Sequence, residues 1–281
     1  MKVAALLGPA VKTAAVRRFQ IHPDIEITPV EQLTAGWDAA LIFGGDGTVH
    51  RHLPQLHACR TPVLVVPTGS GNDFAHSLGI HNPSIAFRIW RYFCRYEINV
   101  REIDLGLIRK AKKETLFCCV AGAGLDSRAN ALANRMPAWL RGAGGYLIAA
   151  LQALIKLAPL EIRLNCGCSC ERCPGLFVAV ANASRYGHGF KVAPKARLDD
   201  GQLDICLVRR MNKVKVVCCL PSIYFGAHLR LREVSYFQAP SATLSTHPEL
   251  ELYADGEYIC DTPVEISVVP RGLKVISPKY L

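Results

Sequence analysis

The sequence lacks an apolar run long enough to cross a bilayer as a helix, which takes about 20 residues. The nearest stretch, residues 142–155, is uncharged but too short, and glycine-rich at its start. No transmembrane segment is expected. The start also lacks the apolar core of a secretion signal, since only five such residues, Val3 to Leu7, precede Gly8-Pro9. The twelve cysteines are accordingly expected to be mostly reduced, with Cys118-Cys119 and Cys218-Cys219 reading as core. Repeats and low-complexity linkers are missing. With half of its residues hydrophobic, the chain does not have a disordered composition. Acid is in short supply: 23 Asp and Glu against 33 Lys and Arg leave a net charge of +10. That excess favours anionic partners such as nucleotide phosphates, nucleic acid or an anionic membrane. Two nucleotide signatures are missing as well. There is no GxxxxGK[ST], and both Gly69-Ser70-Gly71 and Gly122-Ala123-Gly124 lack the third glycine of GxGxxG.

What is present falls into two textures. In the first hundred residues, short apolar runs (Val3 to Leu7, Ala39 to Phe43, Val63 to Val66) alternate with helix-like segments. That is the βα alternation of a parallel sheet. Thr48 and Asn72 or Asp73 read as helix N-caps. From about Asp104 strand-like runs dominate: 116–121, 160–164, 176–181, 203–208, 241–244, 250–254 and 264–269. Turn signals separate them, among them Asp200-Gly201 and Asp255-Gly256. Helices are predicted over 137–157 and 214–225. The reading is an α/β domain over 1–104 and a mainly antiparallel β domain over 105–272.

Two of the buried-looking runs end alike. The chain continues Gly44-Gly45-Asp46-Gly47-Thr48 after one, and Pro67-Thr68-Gly69-Ser70-Gly71-Asn72-Asp73-Phe74-Ala75 after the other. Strand, glycine turn, helix is the geometry of a phosphate site, because glycine lets backbone N–H groups approach an anion at a helix N-terminus. Each loop read alone is equally an ordinary tight turn. Asp46 adds information, since a carboxylate beside phosphate calls for a metal ion or a proton transfer.

These motifs resemble the diacylglycerol kinase catalytic family, which includes sphingosine and ceramide kinases and the bacterial YegS-type lipid kinases. The similarity continues through "VAGAGLD" (120–126), "VANASRYGHGFKVAPKARLDDGQLD" (180–204) and "ADGE" (254–257), so it spans about residues 35 to 275 in order. The resemblance implies an NAD kinase/diacylglycerol kinase-like fold, with residues 273–281 returning to the first domain. It implies an ATP-dependent lipid kinase using Mg²⁺, acting on a primary hydroxyl of diacylglycerol or a similar lipid. It places ATP at Gly44, Gly45, Asp46, Gly47 and Thr48 and at Gly69, Ser70, Asn72 and Asp73. It makes Glu257 the proton acceptor, Asp46 a nucleotide and Mg²⁺ residue, and Asp255 its support. It puts a structural Mg²⁺ on Asp200 with backbone oxygens at Arg197 and Gln202, where the residues by themselves read as an acidic β-turn. A lipid at a membrane surface, and not nucleic acid, then becomes the partner of the basic charge. The implied location is cytoplasmic, peripheral to the inner face of the membrane.

The alternatives are a soluble NAD kinase-like enzyme, which also uses a GGDGT-type loop, and a non-catalytic nucleotide- or lipid-binding homologue. The second rests on His50-Arg51, which stand where the family has Asn and Glu. Three further signals are outside the resemblance. Cys166, Cys168, Cys170 and Cys173 read as a zinc loop or a reduced surface loop. His50 and His57 share a helix face that His52 does not. Tyr146 to Leu157 reads as a core helix or a membrane-edge one.

Overall fold

The computed structural model describes residues 1–9, 11–125, 132, 152–153, 160–167, 170–187 and 189–278. Of the helix predicted over 137–157 only residues 152–153 are described, and both are helical; Cys168 and Asp126 lie outside the described residues. The chain divides into two compact units, Met1–Asp104 with Pro270–Leu281 and Leu105–Val269. The boundaries fall within β5 (Val100–Lys110) and β15 (Val264–Ile276).

The first unit is built on β1 (Lys2–Leu7), β2 (Glu26–Val30), β3 (Ala39–Gly44) and β4 (Val63–Pro67). They are parallel, in the order β4-β3-β1-β2, and the end of β15 joins β4 in parallel at Val275 and Val63. Every residue of β3 and β4 is buried, as expected of parallel strands covered on both faces. In β3 and β4 the register pairs Gly44 with Pro67. Both glycine loops therefore leave the same end of the sheet side by side. After β3 comes α2 (Asp46–Cys59); after β4 come α3 (Asp73–Ser77) and α4 (Pro83–Tyr96), α1 being the single turn Ala14–Arg17. Asn82 caps α4 by accepting from Ile85 N–H, and Pro83 opens it. Its inward stripe is Ala86, Ile89, Trp90 and Phe93. The returning C-terminal strand is fixed by Gly272, whose carbonyl oxygen meets His57 Nδ1 at 2.7 Å, and by Arg271 N–H donating to Asp104.

The second unit is antiparallel. β9 (Cys170–Ala181) pairs with β8 (Glu161–Asn165) up to Pro174, then with β7 (Val120–Gly124) and β10 (Leu203–Arg209) from Gly175 onwards. It thus changes partners at Pro174-Gly175 and closes a core that includes Ile162, Leu164, Val178, Val180, Ile205 and Leu244. β11 (Val234–Ala239) adds to β10, β12 (Ser241–His247) lies between β8 and the start of β15, and the hairpin of β13 (Glu251–Ala254) and β14 (Glu257–Asp261) adds to β7. The helix predicted over 214–225 is α5 (Lys213–Tyr224), capped by Asn212.

One predicted strand, 116–121, is interrupted. β6 (Lys113–Phe117) stops and β7 starts at Val120, because the Cys118 and Cys119 N–H groups are taken by the Asp255 carboxylate. The candidate zinc loop is also altered. Cys170 and Cys173 belong to β9, one exposed and one buried in the core, so the strand separates them. Burial raises the Cys173 thiol pKa.

Burial also sets a pH dependence. His52 is buried on α2, with Nδ1 3.3 Å from the Gln55 side-chain oxygen. His228 is buried in the second unit, its Nε2 3.1 Å from the Val192 carbonyl. Desolvation lowers both pKa values. The unfolded chain then binds protons that the folded chain refuses once pH drops through about 6.5. Stability should be complete above that pH and fall below it. Urea midpoints across this range check it, and His52→Gln should flatten the fall.

Candidate functional site

The first cluster is the pair of glycine loops. Gly45, not Thr48, is the N-cap of α2, so the helix begins inside the GGDGT motif. Thr48 is turned inward instead. A Cβ on Gly44 would sit 2.4 Å from its Oγ1, and one on Gly8 would sit 3.0 Å away. The loops also touch backbone to backbone. A Cβ on Gly69 would lie 2.5 Å from Gly45 Cα, and one on Gly45 would lie 3.0 Å from Gly69 Cα. The glycines are thus required first by the packing of one loop on the other. Gly69→Ala should cost about 1–3 kcal/mol of unfolding free energy through overpacking, and Gly45→Ala less, as measured by urea denaturation.

Asn72 adopts a left-handed conformation (φ 57°), and its side chain closes the second loop. Its oxygen accepts from Gly69 N–H at 2.9 Å and its nitrogen donates to the Gly69 carbonyl at 2.7 Å. That leaves the start of α3 to be capped from elsewhere. Asp46 does it: its two carboxylate oxygens accept from the N–H groups of Asp73 and Phe74 at 2.9 and 3.0 Å. A residue in one loop therefore caps the helix following the other. Asp73 is buried, whereas Thr68, Gly69 and Ser70 are exposed. The outcome is a polar rim beside the N-terminus of a 14-residue helix, the positive end of its dipole. Such a rim suits an anion.

The second cluster is the tip of the β13–β14 hairpin. Asp255 (φ 51°) and Gly256 (φ 87°) form its two-residue turn, with both φ values positive as a type I′ turn requires. The turn is anchored from inside. Asp255 accepts from Cys118 N–H and Cys119 N–H, both at 2.8 Å, and Cys118 Sγ lies 3.4 Å from the same carboxylate. On the other side, Asn182 donates to the Cys118 carbonyl, and the N–H groups of Asn182 and Ala183 donate to the Cys119 carbonyl. The segments "VAGAG", "VANAS" and "ADGE" thus meet at one dipeptide. Asn182 and the Cys118-Cys119 backbone are functional candidates that residue reading missed. Only the place of Asn182 within "VANAS", and of Cys118-Cys119 directly before "VAGAG", could have flagged them. Cys118, Cys119 and Asp255 form the one metal-capable trio among the described residues. Hydrogen bonds to Asp255 account for their closeness. Glu257 stands on the shoulder of this turn, exposed, at the start of a strand that among the described residues pairs on one side only.

The third cluster surrounds the 195–204 turn. Asp200 accepts from Gln202 N–H at 3.1 Å and from Gln238 Nε2 at 3.3 Å. Arg197 reaches Asp199 through its guanidinium at 3.4 Å. The fully buried acid is Asp204, which accepts from Tyr236 O–H at 2.6 Å and from Gln238. Desolvation raises its pKa. The histidines after the first loop are divided between roles. His52 and His57 hold the fold through Gln55 and Gly272, while His50 and Arg51 lie on the outer part of α2.

Comparison with known proteins follows the same division. Residues 2–108 match the model of the diacylglycerol kinase catalytic domain, and residues 119–277 match the YegS C-terminal NAD kinase beta sandwich-like domain. A diacylglycerol kinase of Mycobacterium tuberculosis is 36% identical, over 99% of this chain and 96% of its own. The chain belongs to the diacylglycerol kinase family. A diacylglycerol kinase of Bacillus subtilis is 26% identical over 86% of this chain and 78% of its own. Among solved structures, a diacylglycerol kinase from Bacillus anthracis has a TM-score of 0.71 at 17% identity, covering 98% of this chain and 96% of that one. An NAD kinase from Archaeoglobus fulgidus in complex with ATP has a TM-score of 0.59 at 13% identity, covering 99% and 94%. At those identities the likeness is one of fold. The family is that of lipid kinases, and no helix among the described residues is long and apolar enough to cross a membrane.

Proposed function

We propose that this family member is an ATP-dependent lipid kinase that phosphorylates a primary hydroxyl of diacylglycerol or a similar lipid. The observation that carries the reading is the locked pair of loops at the ends of β3 and β4, with Asp46 capping α3 across them. Nucleotide phosphates suit the rim formed by Gly44 to Thr48, Gly69, Ser70, Asn72 and Asp73, where helix amides and glycine backbone favour anions. When bound, Mg²⁺ neutralises charge on the phosphates. Asp46 is the carboxylate nearest to that task, and it also holds the loops at their spacing. Asp200, with the carbonyls of Arg197 and Gln202, is the oxygen set for a second, structural Mg²⁺.

In the reaction the lipid hydroxyl oxygen bonds to the γ-phosphorus of ATP. The bond from that phosphorus to the β–γ bridging oxygen breaks, and ADP leaves. The hydroxyl proton passes to Glu257, whose exposed carboxylate is accessible to an acceptor. Asp255 is a positioning residue, since its hydrogen bonds fix the turn that presents Glu257. Work on a membrane-borne substrate makes the protein peripheral to the inner face of the membrane, on the cytoplasmic side.

Similarity at 36% over nearly the whole chain favours a lipid over NAD as the acceptor. The test is phosphate transfer from ATP and Mg²⁺ to diacylglycerol, other single-hydroxyl lipids and NAD in parallel. Turnover on a lipid and none on NAD is expected. Turnover on NAD alone would replace the reading, and binding of ATP with no acceptor used would make the chain a binding homologue.

A further inference from the structure

Helix α5 is apolar on two faces. Val216, Cys219, Leu220 and Ile223 turn inward and line, with Leu176 and Val208, an apolar cavity of about 50 Å³. Packing of this unit accounts for that face. The other face is unexplained by the fold. Val214, Val217, Cys218, Pro221 and Phe225 follow one another at offsets of 3, 4, 7 and 11, so they form one stripe. All five are exposed: Val214 is 69% accessible, Val217 44% and Phe225, at the C-cap, 81%. Half of the exposed large hydrophobic residues among those described therefore stand on this short element. Such a cluster on a folded surface marks an interaction site.

The surrounding charge identifies the partner. From Arg209 to Arg232 the chain carries six cations (Arg209, Arg210, Lys213, Lys215, Arg230, Arg232) and no Asp or Glu. Arg210, Lys213, Lys215, Arg230 and Arg232 are exposed. Glu171 pairs with Arg209 and Glu233 with Lys215. An apolar helical stripe ringed by Lys and Arg is the pattern of a helix lying in a bilayer interface. A second copy of this chain would bring like charge against like, which opposes self-association.

We propose that the outer face of α5 is a membrane-docking surface for an anionic phospholipid bilayer. Val214, Val217, Pro221 and Phe225 enter the boundary between headgroups and acyl chains, while the flanking Lys and Arg pair with lipid phosphates. The proposal deepens the lipid-kinase reading and rests on it for the choice of a bilayer as partner.

Co-sedimentation of the full chain with phosphatidylcholine vesicles, with and without phosphatidylglycerol, tests it. The parent should prefer vesicles containing phosphatidylglycerol, and added salt should weaken the binding. Combined Val214→Ser, Val217→Ser and Phe225→Ser should lower vesicle affinity at least about tenfold, since burial of even one such side chain is worth that factor. Turnover on a short-chain, monomerically dispersed diacylglycerol should not change, because α5 carries none of the proposed catalytic residues. Should the triple variant fail to fold, Phe225→Ser alone, at an 81% exposed position, should still weaken binding about tenfold. Unchanged vesicle binding in the folded variants overturns the proposal. So does a parent that sediments as a dimer which Phe225→Ser dissociates, because the stripe is then an interface between copies. Vesicle binding that obeys these expectations in a protein that phosphorylates no lipid keeps the docking surface and removes only the kinase reading.

Discussion

Glu257→Gln should lower lipid-kinase turnover by about 10²- to 10⁴-fold while ATP affinity stays unchanged. That range is the usual worth of a general base, and Gln keeps the shape and hydrogen-bonding capacity of Glu without its basicity. The fold should tolerate the change. Glu257 is exposed, and the turn before it is held by Asp255 and by positive φ at Asp255 and Gly256, not by the Glu257 side chain. The measurement is kcat on diacylglycerol alongside ATP binding by calorimetry. Near-normal kcat would move the base elsewhere, and Asp46 is the first candidate.

Asp46→Asn should behave differently, lowering ATP affinity and turnover together by at least about tenfold each and reducing thermal stability. Both Asp46 oxygens accept from backbone amides, those of Asp73 and Phe74. Asn offers one oxygen, and its NH₂ group would face a second N–H donor. The start of α3 thus loses a charge-assisted hydrogen bond, worth about 1.5–3 kcal/mol, and the negative charge favoured at its N-terminus. The loop carrying Gly69 and Ser70 leads directly into that helix, so its spacing from the first loop is lost as well. Calorimetric ATP titration and a melting curve read both effects. A variant inactive in transfer but normal in ATP affinity and melting temperature would show that Asp46 acts in the chemistry alone. Combined with an active Glu257→Gln, that result would make Asp46 the base.

The sequence by itself carried the fold class and the family. The buried runs of β3 and β4 are legible because a parallel strand covered on both faces is apolar without interruption. The loops after them are legible because glycine clusters are dense and rare. Asp255-Gly256 is legible as a hairpin because that dipeptide tolerates two positive φ values in succession. Helix α5 was found within one residue at each end, because its N-cap and apolar content are local.

Tertiary structure alone decided why several of those residues are there. Asp46 looked like a phosphate or metal residue, and its observed partners are amides 27 and 28 residues away. Gly45 and Gly69 looked like room for an anion, and each first makes room for the other loop. Asp255 and Asn182 clamp Cys118-Cys119 from 137 and 64 residues off, which breaks a strand that its apolar pattern had made continuous. The double-faced apolar character of α5 likewise became informative only once one face was seen to be packed. Local pattern is set by each residue's own side chain and its near neighbours. Which distant amide a carboxylate meets is set by strand register and by which loops leave the same sheet end, and neither is written in the sequence spacing.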